Sequence, residues 1–198
     1  MKKIFSIVFI FSLLINFAIA QNAADQIKKA GDELTKKNYK GAQKNLMDAM
    51  ASINKLMAKE ILDSLPKKID NLKMMDGMDQ QNSTSNFNSG FSVNRTFNDD
   101  NGHSLNITII ENSPITLSVK MMLKDSTLLP PNSEQKIFYL NGFKTLKHFS
   151  KDDMMCNYQI ALDSSIIMIS LDGYDDETAC DVIAQKINLL KIRSALGE

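Results

Sequence analysis

The chain of 198 residues balances 23 Lys and Arg against 23 Asp and Glu, and it contains two His, two Cys and no Trp. A net charge of zero, with no basic block interleaved with aromatics, argues against a nucleic-acid partner. Two cysteines cannot make a disulfide scaffold, so a hydrophobic core has to hold the fold, and the length suits one domain or one domain with a small appendage.

Residues 1–20 read as a secretory signal peptide. Lys2 and Lys3 precede an apolar run from Ile4 to Ile19 broken only by Ser6, Ser12 and Asn16, and Ala18-Ile19-Ala20 supplies a small-x-small exit before Gln21. The run is short for a membrane span, and no Cys follows the expected cleavage point to take a lipid. The processed chain is therefore expected to be soluble, not membrane-spanning, and periplasmic or secreted.

Residues 21–66 are expected to form a helical hairpin. Gln21 to Asn38 places Ile27, Ala30 and Leu34 on one side, opposite Lys28, Lys29, Asp32, Glu33 and Lys36. Asn38 to Gly41 makes the turn. The second helix, Gly41 to Leu65, keeps the helical period through Ala42, Leu46, Ala49, Met50, Ile53, Leu56, Met57 and Ile61 until Pro66 ends it. Ala30, Leu34, Tyr39, Ala42, Leu46 and Ala49 together resemble one tetratricopeptide-type hairpin. A single unit cannot bury a continuous core as a stacked array does, so the pair is read as an arm on the domain that follows.

Residues 67–90 change composition and are expected to be a polar linker. Asp79 to Ser89 is amide-rich and nearly free of aliphatics. Asn82, Asn94 and Asn106 each begin an N-x-Ser/Thr triplet, matches that arise by chance in a chain this rich in Asn and Ser.

From Phe91 the period becomes two, and residues 91–198 are expected to be an antiparallel α+β domain. Phe91, Val93, Arg95 and Phe97 share one side, Asp99-Asp100-Asn101-Gly102 turns the chain, and Leu105, Ile107 and Ile109 return it. Ser113-Pro114 starts a short helix through Leu123, with Ser as cap and Pro in the first turn. Strands follow at Lys136–Leu140, Phe143–Phe149, Met154–Leu162 and Ser165–Leu171, joined by connections so short that neighbours must be antiparallel. The last strand runs through an acidic turn into one amphipathic helix, whose Cys180, Ile183, Ile187 and Leu190 recur at helical spacing and need an apolar sheet to lie on. The predicted fold is α+β: a helical hairpin, then an antiparallel sheet of about six strands covered by a C-terminal amphipathic helix over a hydrocarbon interior.

Few residues suggest chemistry. Asp172, Asp175, Asp176 and Glu177 fit a helix start better than a cation loop, because the ordered spacing and distal Glu of a calcium site are missing. Met74, Met75 and Met78 are metal candidates, since thioethers select Cu(I). Cys156 on a strand and Cys180 on the last helix could form a disulfide or remain two buried thiols, and spacing does not decide between them. Cys156 with His148 across adjacent strands is the one nucleophile pair the pattern offers, while His103 falls in a turn. No cofactor signature is present.

The order of export signal, hairpin, Leu65-Pro66, polar insert, then SVNRTF and ITIIENSP leading into a short helix, resembles a group of exported bacterial proteins without an assigned biochemical role. The resemblance implies a periplasmic α+β protein and transfers no catalytic residue. The leading expectation is a non-enzymatic exported binding or accessory protein of the cell envelope, its partner a protein or other envelope component. A copper-binding protein using Met74, Met75 and Met78, and a hydrolase using Cys156 or His148, are the alternatives.

Overall fold

A computed structural model describes residues 2–83, 90–129 and 134–198, with side chains from residue 19 onward except residue 83. The chain divides into two units. One is built on residues up to Lys59, and the other holds Glu60–Asn82 and Gly90–Glu198.

The first unit is the expected hairpin with its turn shifted. Helix α1 spans Lys2–Thr35 and α2 spans Tyr39–Ser64. Asn38 Oδ1 accepts from Gly41 N–H at 3.1 Å, so Asn38 caps α2 instead of opening a longer loop. The bend itself uses Lys37 at φ 58°, with Asn38 N–H reaching back to Glu33 O at 2.9 Å. Ala23 and Ala30 on α1 and Ala42 and Ala49 on α2 are buried, and Asn22 Nδ2 donates to Ser52 Oγ at 3.1 Å across the pair. The side chains of residues 1–18 of the expected signal peptide lie outside the described ones. Among the described residues no helix is long and apolar enough to cross a membrane.

The second unit is an antiparallel sheet of nine strands among the described residues, three more than expected. The six expected strands are β4 (Phe91–Asn98), β5 (Ser104–Ile110), β6 (Gln135–Leu140), β7 (Phe143–Ser150), β8 (Met155–Ala161) and β9 (Ile166–Asp172). The extra three, β1 (Lys68–Ile69), β2 (Leu72–Met74) and β3 (Gln80–Ser83), lie in the segment read as linker. They are two to four residues long, too short for alternation to register. The order is β1-β2-β4-β5-β9-β8-β7-β6, with β3 also on β4. The meander β6–β9 is thus extended by the β4–β5 hairpin, which joins through β5 to β9.

Local turn chemistry sets these connections. Asn141 and Gly142, at φ 50° and 85°, form the two-residue turn between β6 and β7. Asp99 Oδ1 accepts from the N–H groups of Asn101 and His103 to close the β4–β5 turn. Helix α3 (Pro114–Lys124) starts as expected, Ser113 Oγ accepting from Ile115 N–H. The proline loop after it falls partly on 130–133, outside the described residues.

Two corrections concern the C-terminal layer. The single expected helix is two, α4 (Glu177–Ala184) and α5 (Leu189–Leu196), because Asn188 Oδ1 caps a new start by accepting from Lys191 N–H at 2.9 Å. Asn141 Nδ2 holds the break by donating to Gln185 O and Ile187 O, both at 2.9 Å. The restart changes the phase: Ile183 and Ile187 are buried as expected, but Leu190 is 65% exposed, and Leu189, Ile192 and Leu196 form the inward stripe of α5.

The interior is not purely hydrocarbon either. Alternation places Val93, Phe97, Leu105, Ile107, Ile109, Ile167, Ile169 and Leu171 on the buried face of the sheet, but Arg95 and Lys147 share that face and are buried with them.

Candidate functional site

The other face of the sheet divides along the strands. At one end α3 lies against β7 and β8, packing Val119 and Leu123 on Leu146 and Ile166. Beyond that cover the outward positions are neutral and polar. Register pairs Thr96 with Asn106, Asn106 with Ser170, Ser170 with Asn157, Asn157 with His148, and His148 with Gln135. One row of polar side chains therefore crosses six strands, β4-β5-β9-β8-β7-β6, perpendicular to the chain. The adjacent row, Asn94, Thr108, Met168 and Gln159, continues the polar surface toward the apolar cluster under α3.

The middle of this surface is hollow. A cavity of about 220 Å³ is lined by polar residues of the two rows, Asn106, Thr108, Asn157, Gln159, His148 and Ser170, together with Gln135, Met168, Tyr158 and Ile169.

The β4–β5 side of the hollow is internally braced. Asn94 Nδ2 donates to Asn106 Oδ1 at 2.6 Å and to Thr108 Oγ1 at 2.8 Å, and Asn106 Nδ2 donates to Thr96 Oγ1 at 3.1 Å. These bonds fix the rotamers of a small polar shelf. On the opposite side Gln135, Asn157, Gln159 and Ser170 make no side-chain hydrogen bond with any described residue, although all four are half-buried. Their donors and acceptors face the hollow.

An antiparallel sheet commonly leaves one face to water, and such a face normally carries charge. Here formal charge on the open side of β4–β9 is confined to Lys144, four residues along β7 from His148, and Asp172, two residues along β9 from Ser170. Each is already engaged, Lys144 with Leu123 O and Asp172 with Ser104 Oγ at 3.1 Å. His148 is the one titratable side chain lining the hollow, and its Nε2 stands 3.4 Å from Glu134 Oε2.

The structure separates Cys156 from His148. His148 opposes Asn157 on the open face, whereas Cys156 opposes Phe149 and is fully buried on the other. A one-residue offset in a strand is a change of face, so the alternative of a Cys156–His148 nucleophile pair is not formed. Cys156 meets Cys180 instead. The thiols are free and hydrogen-bonded to each other, and that bond together with burial holds the Cys180 thiol well above the ordinary range.

Beside them is a cluster with no counterpart in the sequence reading. Lys147 Nζ bonds to Asp181, stands 2.8 Å from Glu177 Oε1 and lies 4.8 Å from the centre of the Phe138 ring. Tyr158 O–H donates to Asp181 Oδ1 at 2.6 Å. Burial works against the Lys147 charge, but the bonds to Asp181 and Glu177 outweigh it and hold its pKa above the usual value. With its side chain 1% exposed, this is a brace between β7 and α4 and not a reactive amine.

The remaining candidates are structural or separated. Asp176 caps α4 as the helix-start reading expects, accepting from Thr178 N–H at 2.9 Å, whereas Glu177 in the first turn binds Lys136 and Lys147, and Asp172 ends β9 and binds Ser104. Met74 belongs to strand β2 and not to a loop, while Met75 and Met78 flank the exposed turn after it. His103 stacks on Tyr174 at 4.4 Å and is half-buried, not free in a turn, its Nδ1 2.8 Å from Asp99 Oδ2. No group of three His, Cys, Asp or Glu among the described residues could hold a metal.

No family model matches the sequence, and no curated protein matches it. The chain is similar to a solved structure described as a GTP binding regulator from Thermotoga maritima, at 7% identity and a TM-score of 0.35, over 65% of this chain and 83% of that one.

Proposed function

We propose that the chain is a non-enzymatic binding module of the cell envelope, exported by its N-terminal leader, and that the open sheet face takes a polar envelope component. One observation carries this reading: half-buried amides and a hydroxyl from β6, β8 and β9 face a hollow with no protein partner, opposite a braced shelf on β4 and β5. These side chains are half-buried but open to solvent, so their donors and acceptors are unspent on the protein and can meet a polar ligand. The burial of Cys156 on the opposite face supports binding over hydrolysis.

The test follows the side-chain NH₂ signals of Asn106, Asn157 and Gln159 by nitrogen-15 NMR while small-molecule fractions of envelope extract are added. The expected result is a fraction that shifts these three signals and leaves Asn188, at the α5 cap, in place. If every fraction leaves them unmoved, the face is an ordinary solvated surface.

A further inference from the structure

Resting on that reading, we infer that the ligand is an uncharged oligosaccharide lying across the strands along Thr96, Asn106, Ser170, Asn157, His148 and Gln135.

Charge excludes several classes first. Phosphorylated and carboxylated ligands need fixed cations at the site, and the hollow is lined by neither Lys nor Arg. Hard cations and polyamines need carboxylates, and none lines it. Nucleic acid would need fixed cations along its backbone, and neither Lys nor Arg lines the hollow.

What the row does offer is matched to hydroxyl groups. An amide side chain presents a donor and an acceptor about two bonds apart, and a Ser or Thr hydroxyl is both at once. Adjacent hydroxyls on a sugar ring make the same paired demand. Asn157, Gln159, Ser170 and Gln135 have this capacity unspent, whereas Asn94, Thr96, Asn106 and Thr108 spend part of theirs on one another and so are held in place. Met168, beside Gln159 in the second row, supplies an apolar contact for ring C–H groups.

Shape points to a chain and not to one sugar. The hollow of about 220 Å³ is smaller than the roughly 300–1,000 Å³ of enclosed small-molecule sites, so it suits one ring of a longer ligand. The polar row extends on both sides of it. With strands about 4.8 Å apart, six strands span roughly 24 Å, near the length of a tetrasaccharide, and the strand repeat is close to the sugar repeat.

The experiment uses the purified protein with four probes: cellotetraose, maltotetraose and chitotetraose as uncharged chains, and tetragalacturonate as the acidic control. The expected result is that at least one uncharged tetrasaccharide shifts the Asn106, Asn157 and Gln159 side-chain amides saturably, at least tenfold more tightly than its own monosaccharide and than tetragalacturonate. Asn157→Thr with Gln159→Thr, which keeps a β-compatible residue at both positions, should weaken that binding at least tenfold with an unchanged melting temperature. Asn188→Asp, far along the chain at a helix cap, should bind as the parent does. The inference is overturned if no uncharged tetrasaccharide binds, if the acidic one binds equally well, or if the double variant binds unchanged. Should envelope fractions shift the three amides while the uncharged chains do not, the ligand class is wrong and the binding face stands.

Discussion

Lys147 on β7 and Asp181 on α4 are bonded across the layer between the sheet and its covering helix, with the lysine ammonium sealed under the rings of Phe138 and Tyr158. A buried pair of this kind is weak as a source of net stability but costly to break from one side, since the partner keeps an uncompensated charge. Lys147→Met should destabilise the second unit by about 3–5 kcal/mol, because Asp181 is left with Tyr158 alone. Lys147→Met with Asp181→Leu should recover most of that loss. Urea midpoints of the single and double variants measure both. The case for a brace fails if the double variant is no better than the single one.

The same pair sets an alkaline limit. Because the folded Lys147 pKa lies above its ordinary 10.5, its contribution is complete below that value and disappears as pH climbs through the raised folded value. Parent protein should lose stability above pH 10.5 more steeply than the Lys147→Met, Asp181→Leu variant, read as melting temperature against pH. Parallel curves would mean that the ammonium is not what titrates.

Arg95 on β4 reaches Asp79 through two parallel bonds, Nε to Oδ1 at 2.9 Å and Nη2 to Oδ2 at 2.5 Å, and donates a third from Nη1 to Leu65 O at 3.0 Å. One guanidinium thus pins the segment after α2 to the sheet. Arg95→Lys keeps the charge but cannot make the fork, and should cost about 1–3 kcal/mol. Arg95→Met should cost more and release protection of the backbone amides of Leu72 and Met74, measurable by hydrogen exchange. If those amides stay protected, the segment is held by its short β pairing instead.

What was legible in the sequence was local. Ser113-Pro114 announces α3, Asn141-Gly142 its turn, and the alternation from Phe91 its strand, since each depends only on residues a few positions apart. The polar row is invisible at that range. Asn106, Asn157 and Ser170 each read as an outward residue of one strand, and only the register of β5 on β9 and of β8 on β9 brings them together. Lys147 was missed for the same reason. Its alternation with Thr145 and Phe149 gives a face, but the carboxylate that makes burial tolerable comes from a helix 34 residues later. Strands β1 to β3 fall where composition predicts a linker, because pairing, not composition, defines them.

Cys156 on β8 and Cys180 on α4 are both fully buried free thiols. A thiol reagent should therefore label neither in the native protein and both in guanidinium. Mild oxidation with diamide near the urea midpoint, where the layer opens, should join them and tie β8 to α4. Closing a loop of that length should add about 3.5 kcal/mol in the chain-entropy account. An oxidised form no more stable than the reduced one would show that the sulfurs meet in a geometry a bridge cannot keep.

The side chain of Glu198 folds back over the β8–β9 turn, where its carboxylate accepts from Asp163 N–H at 2.6 Å, Ser164 Oγ at 2.7 Å and Ser165 Oγ at 2.7 Å. Burial works against this charge, but the bonds from Ser165, Ser164 and the turn backbone outweigh it and lower the pKa from 4.5. A lowered carboxylate pKa contributes stability that is complete above the ordinary value and is lost as pH falls through the folded one. Glu198→Gln should cost about 1 kcal/mol at pH 7, as one charged acceptor becomes neutral. That difference should shrink steadily below pH 4.5, where the parent carboxylate takes up its proton. Urea titrations of both proteins at pH 7 and at pH 3 measure it. A gap that persists undiminished at pH 3 would mean that the amide disrupts the turn by shape and not by charge.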